Sequence, residues 1–194
     1  ISVIFLRETA GNAEVGIYSV GTTLSEMWYF IPMALASSLA PFISRKRQQG
    51  GESYKQFLYK TFAGMWYLSL TVAGLNALTS QYWIDLLYGA QYEQSASIFA
   101  LHSLTFIPVC LGVMQSLWLI NEGRSRLALY QALSGAVVAI GLNFILTPTY
   151  GAYGAAAATV TAQFVQAFLA NVFLAPDLFR LQIRSLSLIR ALKS

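Results

Sequence analysis

The chain has 194 residues, of which 10% are charged and 56% apolar, with a mean hydropathy of +0.55 and a formal net charge of +4. A soluble domain carries about 25% charged residues, so this balance excludes a solvated globular enzyme. Acidic and basic side chains are absent from 61–84, 94–121 and 127–176, the last a stretch of 50 residues. A bilayer core of about 30 Å takes roughly 20 helical residues, so that stretch reads as two spans with a turn between them. The expected fold is all-α, a polytopic transmembrane helix bundle of five complete spans plus a truncated one.

The chain opens on Ile rather than Met, and the apolar run 1–6 would cover only about 9 Å as a helix. It reads as the tail of a span cut off upstream rather than a signal peptide, which makes the chain a fragment of a larger protein. The first complete span is expected at 15–39, with Glu26 inside it, and the second at 61–80. The third covers 95–120 and includes His102 and the single cysteine, Cys110, which excludes an intrachain disulfide. The fourth and fifth fall at 127–147 and 152–175, broken apart by Pro148 and Gly151. Pro32 and Pro108 lie within spans and predict kinks. The connection 81–94, with Tyr82, Trp83, Tyr88 and Tyr92, reads as an interfacial segment. The whole of 1–194 is treated as one bundle.

Orientation follows from Lys and Arg. Eleven of the twelve lie after span one (Arg45, Lys46, Arg47, Lys55, Lys60), after span three (Arg124, Arg126) or in the tail (Arg180, Arg184, Arg190, Lys193), leaving Arg7 on the other side. Those three regions are expected in the cytoplasm, with the C-terminus inside. The tail 178–193 reads either as a basic amphipathic helix on the anionic inner leaflet or as juxtamembrane charge that fixes topology. In spans four and five, Ala132, Gly135, Ala136, Ala139, Gly141 and Gly154 are small enough to let helix backbones approach.

No phosphate-cradling glycine loop, cysteine pair or histidine pair occurs, and no catalytic, metal or cofactor site is expected. A triad would pair His102 with Asp85 or Asp177, which lie at opposite membrane faces. The informative polar residues are inside the spans. Glu26 sits where an isolated charge costs on the order of 3 kcal/mol. Helical spacing puts Ser19, Thr22, Thr23, Tyr29, Met33 and Ser37 on or near its face. Glu26 is either a cavity carboxylate carrying a proton or cation, or a protonated glutamate tying helices together. His102 is either a proton relay or a histidine bonded to a backbone carbonyl. Gln163 and Gln166 share a face with Thr159, as a cavity wall or as interhelical glue.

Three motifs resemble one family. The first is Glu14-Val-Gly-Ile-Tyr18 running into Leu24-Ser-Glu26, Trp28-Tyr-Phe-Ile-Pro32 and Ser37-Ser-Leu-Ala-Pro41. The second is Leu87-Tyr-Gly89 followed by Tyr92. The third is Leu142-Asn143, Leu146-Thr-Pro148, Tyr150-Gly151 and Gly154-Ala-Ala. In this order they resemble the polysaccharide flippase (Wzx-type) family of the multidrug/oligosaccharidyl-lipid/polysaccharide exporter superfamily. The resemblance implies the second lobe of a two-lobe alternating-access transporter in the bacterial cytoplasmic (inner) membrane. It implies that undecaprenyl-diphosphate-linked oligosaccharides are moved from the inner to the outer leaflet. The implied partners are that lipid-linked oligosaccharide, membrane lipids and an N-terminal lobe of the same chain, not nucleic acid. Glu26, Thr22, Tyr29, Gln163, Gln166 and His102 are then the translocation-cavity candidates. Because no Lys or Arg lies within the complete spans, Arg45, Arg47, Arg124 and Arg126 are the rim candidates for the diphosphate. A drug or cation antiporter of the same superfamily is the alternative. A membrane sugar polymerase or ligase fits less well, since the outer connections are short and nearly free of Arg and His.

Overall fold

The computed structural model describes residues 2–187, and every regular element among them is helical. In chain order these are α1 (Ser2–Glu26), α2 (Phe30–Gln49), α3 (Gly51–Leu78), α4 (Ser80–Leu87), α5 (Gln94–His102), α6 (Phe106–Asn121), α7 (Arg126–Phe164), α8 (Asn171–Leu174) and α9 (Pro176–Leu186). Short 3₁₀ turns join α1 to α2 at Met27–Tyr29 and α5 to α6 at Ser103–Thr105, and a π turn at Val165–Leu169 joins α7 to α8. The sequence explains where the two 3₁₀ turns fall. Pro32 and Pro108 have no N–H for the carbonyls of Trp28 and Leu104 four residues back. The ladder tightens into 3₁₀ at those residues, where kinks were expected.

Two of the long helices fold back on themselves. The Ser2 and Tyr18 hydroxyls both meet Thr159 Oγ1, at 2.9 Å and 3.3 Å. In one straight helix Ser2 and Tyr18 would lie about 24 Å apart, so the chain reverses between them, at Gly11 (φ 85°, ψ 178°). The same happens within α7 at Gly151 (φ 53°, ψ −134°). A Cβ on Gly135 would lie 2.9 Å from the Gln166 Cβ and 3.3 Å from the Ala162 carbonyl. A straight helix would hold Gly135 and Gln166 about 46 Å apart. Positive φ makes glycine the fitting residue at both reversals. The arm that starts at Ala152 is capped from outside, since the Ala152 N–H donates to Glu14 Oε2 at 2.8 Å. A carboxylate there satisfies an orphan amide and complements the positive helix end.

Three continuous helical stretches are long and apolar enough to cross a membrane: Ser2–Gln49 (48 residues), Gln94–Asn121 (28) and Arg126–Leu174 (49). By length and composition these are three stretches where five complete spans and a truncated one were expected, and the reversals at Gly11 and Gly151 lie inside the first and the third. The fourth and fifth expected spans are the two arms of α7: the helix continues through Pro148, and the expected break falls at Gly151, where the chain reverses. The expected second span lies in α3, where Trp66, Tyr67, Ser69 and Asn76 dilute the apolar character.

The largest core cluster joins α2, α3, α6 and α9 through Ile43, Phe62, Trp66, Leu111, Met114 and Leu178. A second joins Leu6, Tyr18, Ile98 and Ala152–Ala156 residues around the Gly11 and Gly151 reversals. A Cβ on Gly21 would meet Ile98 at 2.9 Å, so α1 and α5 pack almost backbone to backbone. The tail packs on the bundle. At Ala175–Pro176 the chain turns back, and α9 buries Leu178, Leu181, Gln182 and Ser185 against the bundle. Trp66 Nε1 donates to the Gln182 carbonyl at 2.9 Å, and the Tyr67 hydroxyl to the Leu186 carbonyl at 3.0 Å. The expected surface helix is therefore a bundle element over 178–186, with Arg180 and Arg184 exposed on its outer side. Leu188, Arg190, Leu192 and Lys193 lie outside the described residues.

Gly151→Ala tests the hinge of α7. An added Cβ would lie 2.6 Å from Glu14 Oε2, on a positive-φ backbone outside the regions open to L-residues. The thermal unfolding midpoint of the purified protein is expected to fall, and an unchanged midpoint contradicts the reversal.

Candidate translocation face

The two proline-linked turns face each other and are bonded together. The Tyr29 hydroxyl meets Thr105 Oγ1, and Thr105 Oγ1 donates to the His102 carbonyl at 2.6 Å. Tyr29 stacks over Phe106 with ring centroids 6.3 Å apart. One turn along, Ser25 Oγ and His102 Nδ1 are 2.6 Å apart, and Ser25 Oγ also lies 2.8 Å from the Thr22 carbonyl. One hydroxyl proton serves only one of these acceptors, so if the carbonyl takes it His102 is the Nδ1–H tautomer. Tyr18 packs edge-on against the imidazole at 6.3 Å. His102 is 1% exposed, and its partner is Ser25 rather than the backbone carbonyl expected. It is part of the packing between α1 and α5, not of a cavity wall.

Thr22 is also removed from the cavity candidates. It is buried, and its hydroxyl donates to the Tyr18 carbonyl at 3.0 Å. The face attributed to Glu26 thus divides. Thr22, Ser25 and Tyr29 turn toward α5 and α6, while Glu26, Thr23, Met33 and Ser37 are exposed. At about 100° per residue, Ser25 marks the buried side and Glu26 the first exposed position beyond it. Glu26 makes no hydrogen bond or ion pair among the described residues.

Gln163 and Gln166 lie on the second arm of α7 and its π turn. Gln163 approaches the Tyr29 hydroxyl, and both glutamines line two adjoining cavities. One, of about 370 Å³, is bounded by Pro108, Gly112 and Ser116 of α6 and by Gln131 of α7. The other, of about 280 Å³, runs along Ser2, Gly135, Ala139 and Thr159. Behind the first is a closed ring of amides. Gln115 Nε2 donates to Gln131 Oε1 at 2.9 Å, Gln131 Nε2 to Asn171 Oδ1 at 2.7 Å, and Asn171 Nδ2 to Gln115 Oε1 at 2.6 Å. Gln182 of α9 joins by accepting from Asn171 Nδ2 at 3.2 Å, and its own amide donates to the Ala167 carbonyl at 2.9 Å. All four side chains are buried. The π turn Val165–Leu169 carries Gln166 and Ala167 between ring and furrow.

At the basic end of the bundle the four rim arginines divide into pairs. Arg47 Nε lies 3.1 Å from Glu122 Oε1, and its guanidinium sits over the Tyr54 ring at 5.6 Å. Arg124 bonds Asp177 at 2.8 Å and covers Trp118 at 5.5 Å. Arg45 and Arg126 are exposed with no ion pair among the described residues. The Tyr54 hydroxyl donates to Glu122 Oε1 at 2.9 Å. Burial pushes that phenol above the ordinary tyrosine range, and the Glu122 carboxylate raises it further.

The sequence reading missed two of these features. Glu14 stood in a motif, but its partner Ala152 lies 138 positions away. The amide ring draws one residue from each of four segments, and no spacing signals it. The amphipathic pattern around Gln182 was the one available clue. No family model, no curated protein and no solved structure matches the chain.

Gln131→Leu leaves Asn171 Oδ1 and Gln115 Nε2 buried without partners, and is expected to destabilise by about 1–3 kcal/mol. Gln163→Leu, which breaks no ring bond, is expected to leave the unfolding midpoint nearly unchanged. Equal effects on that midpoint contradict the distinction between ring and furrow. A second test concerns pH. Neutral Tyr54 contributes stability that is present below the ordinary tyrosine value of 10.0 and is lost as pH rises above it through the raised value. Tyr54→Phe should flatten the alkaline limb of a stability–pH curve.

Proposed function

We propose that this chain is the second lobe of a two-lobe, alternating-access transporter that flips undecaprenyl-diphosphate-linked oligosaccharides from the inner to the outer leaflet of a bacterial cytoplasmic membrane. The observation that carries the reading is a division of the lobe's surface. Leu129, Leu133, Val137, Ile140 and Phe144 form an exposed apolar stripe on the first arm of α7, suited to lipid. Glu26 and Gln166 are equally exposed at depths where lipid would penalise them. A polar, unpaired face on an otherwise apolar bundle belongs against a water-filled cleft. The family resemblance of the Glu14–Pro41 and Leu142–Gly154 motifs supplies the cargo.

The two ends of the bundle support the orientation. Arg45, Lys46, Arg47, Arg124 and Arg126 fall in the segments after α2 and α6 or at their ends, with Arg7 in α1, and by the positive-inside rule this supports a cytoplasmic basic end. Arg45 and Arg126 are the guanidiniums this lobe offers to the cargo diphosphate, since Glu122 and Asp177 already neutralise Arg47 and Arg124. Flipping makes and breaks no covalent bond, so the reading needs no enzyme chemistry. A second reading, a drug or cation antiporter of the same superfamily, is favoured by one observation: the unpaired Glu26 carboxylate is a ready site for a proton or an organic cation.

The test is transport by the full-length protein in proteoliposomes, across a pH series, with a defined lipid-linked oligosaccharide and with an organic cation. Translocation of the lipid-linked glycan is expected, and Glu26→Gln should remove its pH dependence. Cation efflux without glycan translocation selects the antiporter. Full activity of the Glu26→Gln variant at every pH removes the coupling role.

A further inference from the structure

Gln163 and Gln166 differ from every other amide near them. Gln115, Gln131, Asn171 and Gln182 close their hydrogen bonds on one another. Neither Gln163 nor Gln166 has a hydrogen bond of normal geometry among the described residues, although Gln163 approaches Tyr29. Both sit at the junction of the 370 Å³ and 280 Å³ cavities. Combined, these reach the range of small-ligand sites. Space has been kept for them: Gly135 leaves room where any Cβ would lie 2.9 Å from the Gln166 side chain. The ring behind Gln131 fixes one wall, because each of its members is held by at least two others.

The lining chemistry narrows the ligand. No Lys or Arg borders either cavity, so a phosphate has no counter-charge there. No Asp or Glu borders them either, and the furrow is open rather than an enclosed oxygen cage, which disfavours a metal cation. Hydrocarbon would leave two amides unpaired. What remains is a group that is uncharged and both donates and accepts. A primary amide presents a carbonyl and an NH₂ side by side, and so can bridge two neighbouring hydroxyls, taking a proton from one and giving one to the other. Ser116 Oγ, whose proton goes to the Gly112 carbonyl at 2.9 Å, adds an acceptor on the α6 side, and the Thr159 hydroxyl borders the far end.

We infer that the furrow between α6 and the two arms of α7, with Gln163 and Gln166 at its centre, binds a neutral polyhydroxylated group, a sugar ring. This rests on the flippase reading and separates the cargo into two parts. The diphosphate is left to the basic rim and the sugar is taken by an uncharged wall deeper in the lobe.

Binding by the full-length protein in nanodiscs tests this with two probes: undecaprenyl diphosphate carrying a neutral tetrasaccharide, and undecaprenyl diphosphate alone. The wild type should prefer the glycosylated lipid. The double variant Gln163→Leu/Gln166→Leu should lose about tenfold in affinity for it, as for one to two hydrogen bonds, and bind the bare lipid unchanged. Ser116→Cys supplies a second readout, independent of transport. Its labelling by a thiol reagent should slow with the glycosylated lipid and not with the bare one. Gln163→Asn/Gln166→Asn keeps the amides and should retain part of the preference. Unchanged preference in the leucine variant, with a wild-type unfolding midpoint, overturns the sugar site and leaves the flippase reading standing. A leucine variant with a lowered midpoint makes the amides structural and also overturns it. If neither lipid binds the wild type, the flippase reading fails, and the sugar site with it.

Discussion

The contact between the Glu14 carboxylate and the Ala152 amide joins two chain reversals that would otherwise be independent. Helices in lipid satisfy their own backbone except at their ends, so a reversal inside the bundle exposes orphan amides that must be bonded by something. Glu14 does this for the return arm of α7 at 2.8 Å. The Gly151 backbone, at φ 53°, leaves room for the carboxylate that an added Cβ would take. Once that end is pinned, Thr159 falls between Ser2 and Tyr18, α1 lies along α7, and Gln163 comes round to Tyr29. The furrow is a consequence of where the chain turns back.

The bundle's departures from α-geometry cluster around the same region. Pro32 and Pro108 each remove one helical hydrogen bond, and the resulting 3₁₀ turns are tied together through Tyr29 and Thr105. The π turn Val165–Leu169 adds a third such departure, beside the amide ring. Below it, at the basic end, the Arg47–Glu122 and Arg124–Asp177 pairs join α2, α6 and α9 at their tips. Exposed pairs of this kind contribute little individually. Their bearing is on which segment ends are tied to one another.

Much of this was legible from residue type alone. Missing charge marked the apolar helices, the prolines marked the 3₁₀ turns, and Gly151 marked a turn. Glu26 stood out because a carboxylate within a span is costly wherever it points. Partners at long range were not legible. Ser25 stands 77 positions from His102, and only packing selects it. Thr22 and Glu26 are four positions apart, neighbours on a helix surface, yet they fall on opposite sides of the boundary between buried and exposed. The tail shows the same limit: an amphipathic helix needs something apolar to lie on, and the pattern does not distinguish a leaflet from Trp66 and Tyr67 of α3.

The exposed surfaces carry the remaining argument about mechanism. An apolar stripe such as Leu129, Leu133, Val137, Ile140 and Phe144 is neutral toward lipid, so it sets no orientation beyond facing outward. Glu26 and the two furrow glutamines are different, because their unpaired polar groups are stable only against water, a ligand or a polar protein surface. Gln163 approaches Tyr29, whose hydroxyl is tied to Thr105 at the paired turns, so the furrow adjoins the point where the two departures from α-geometry meet.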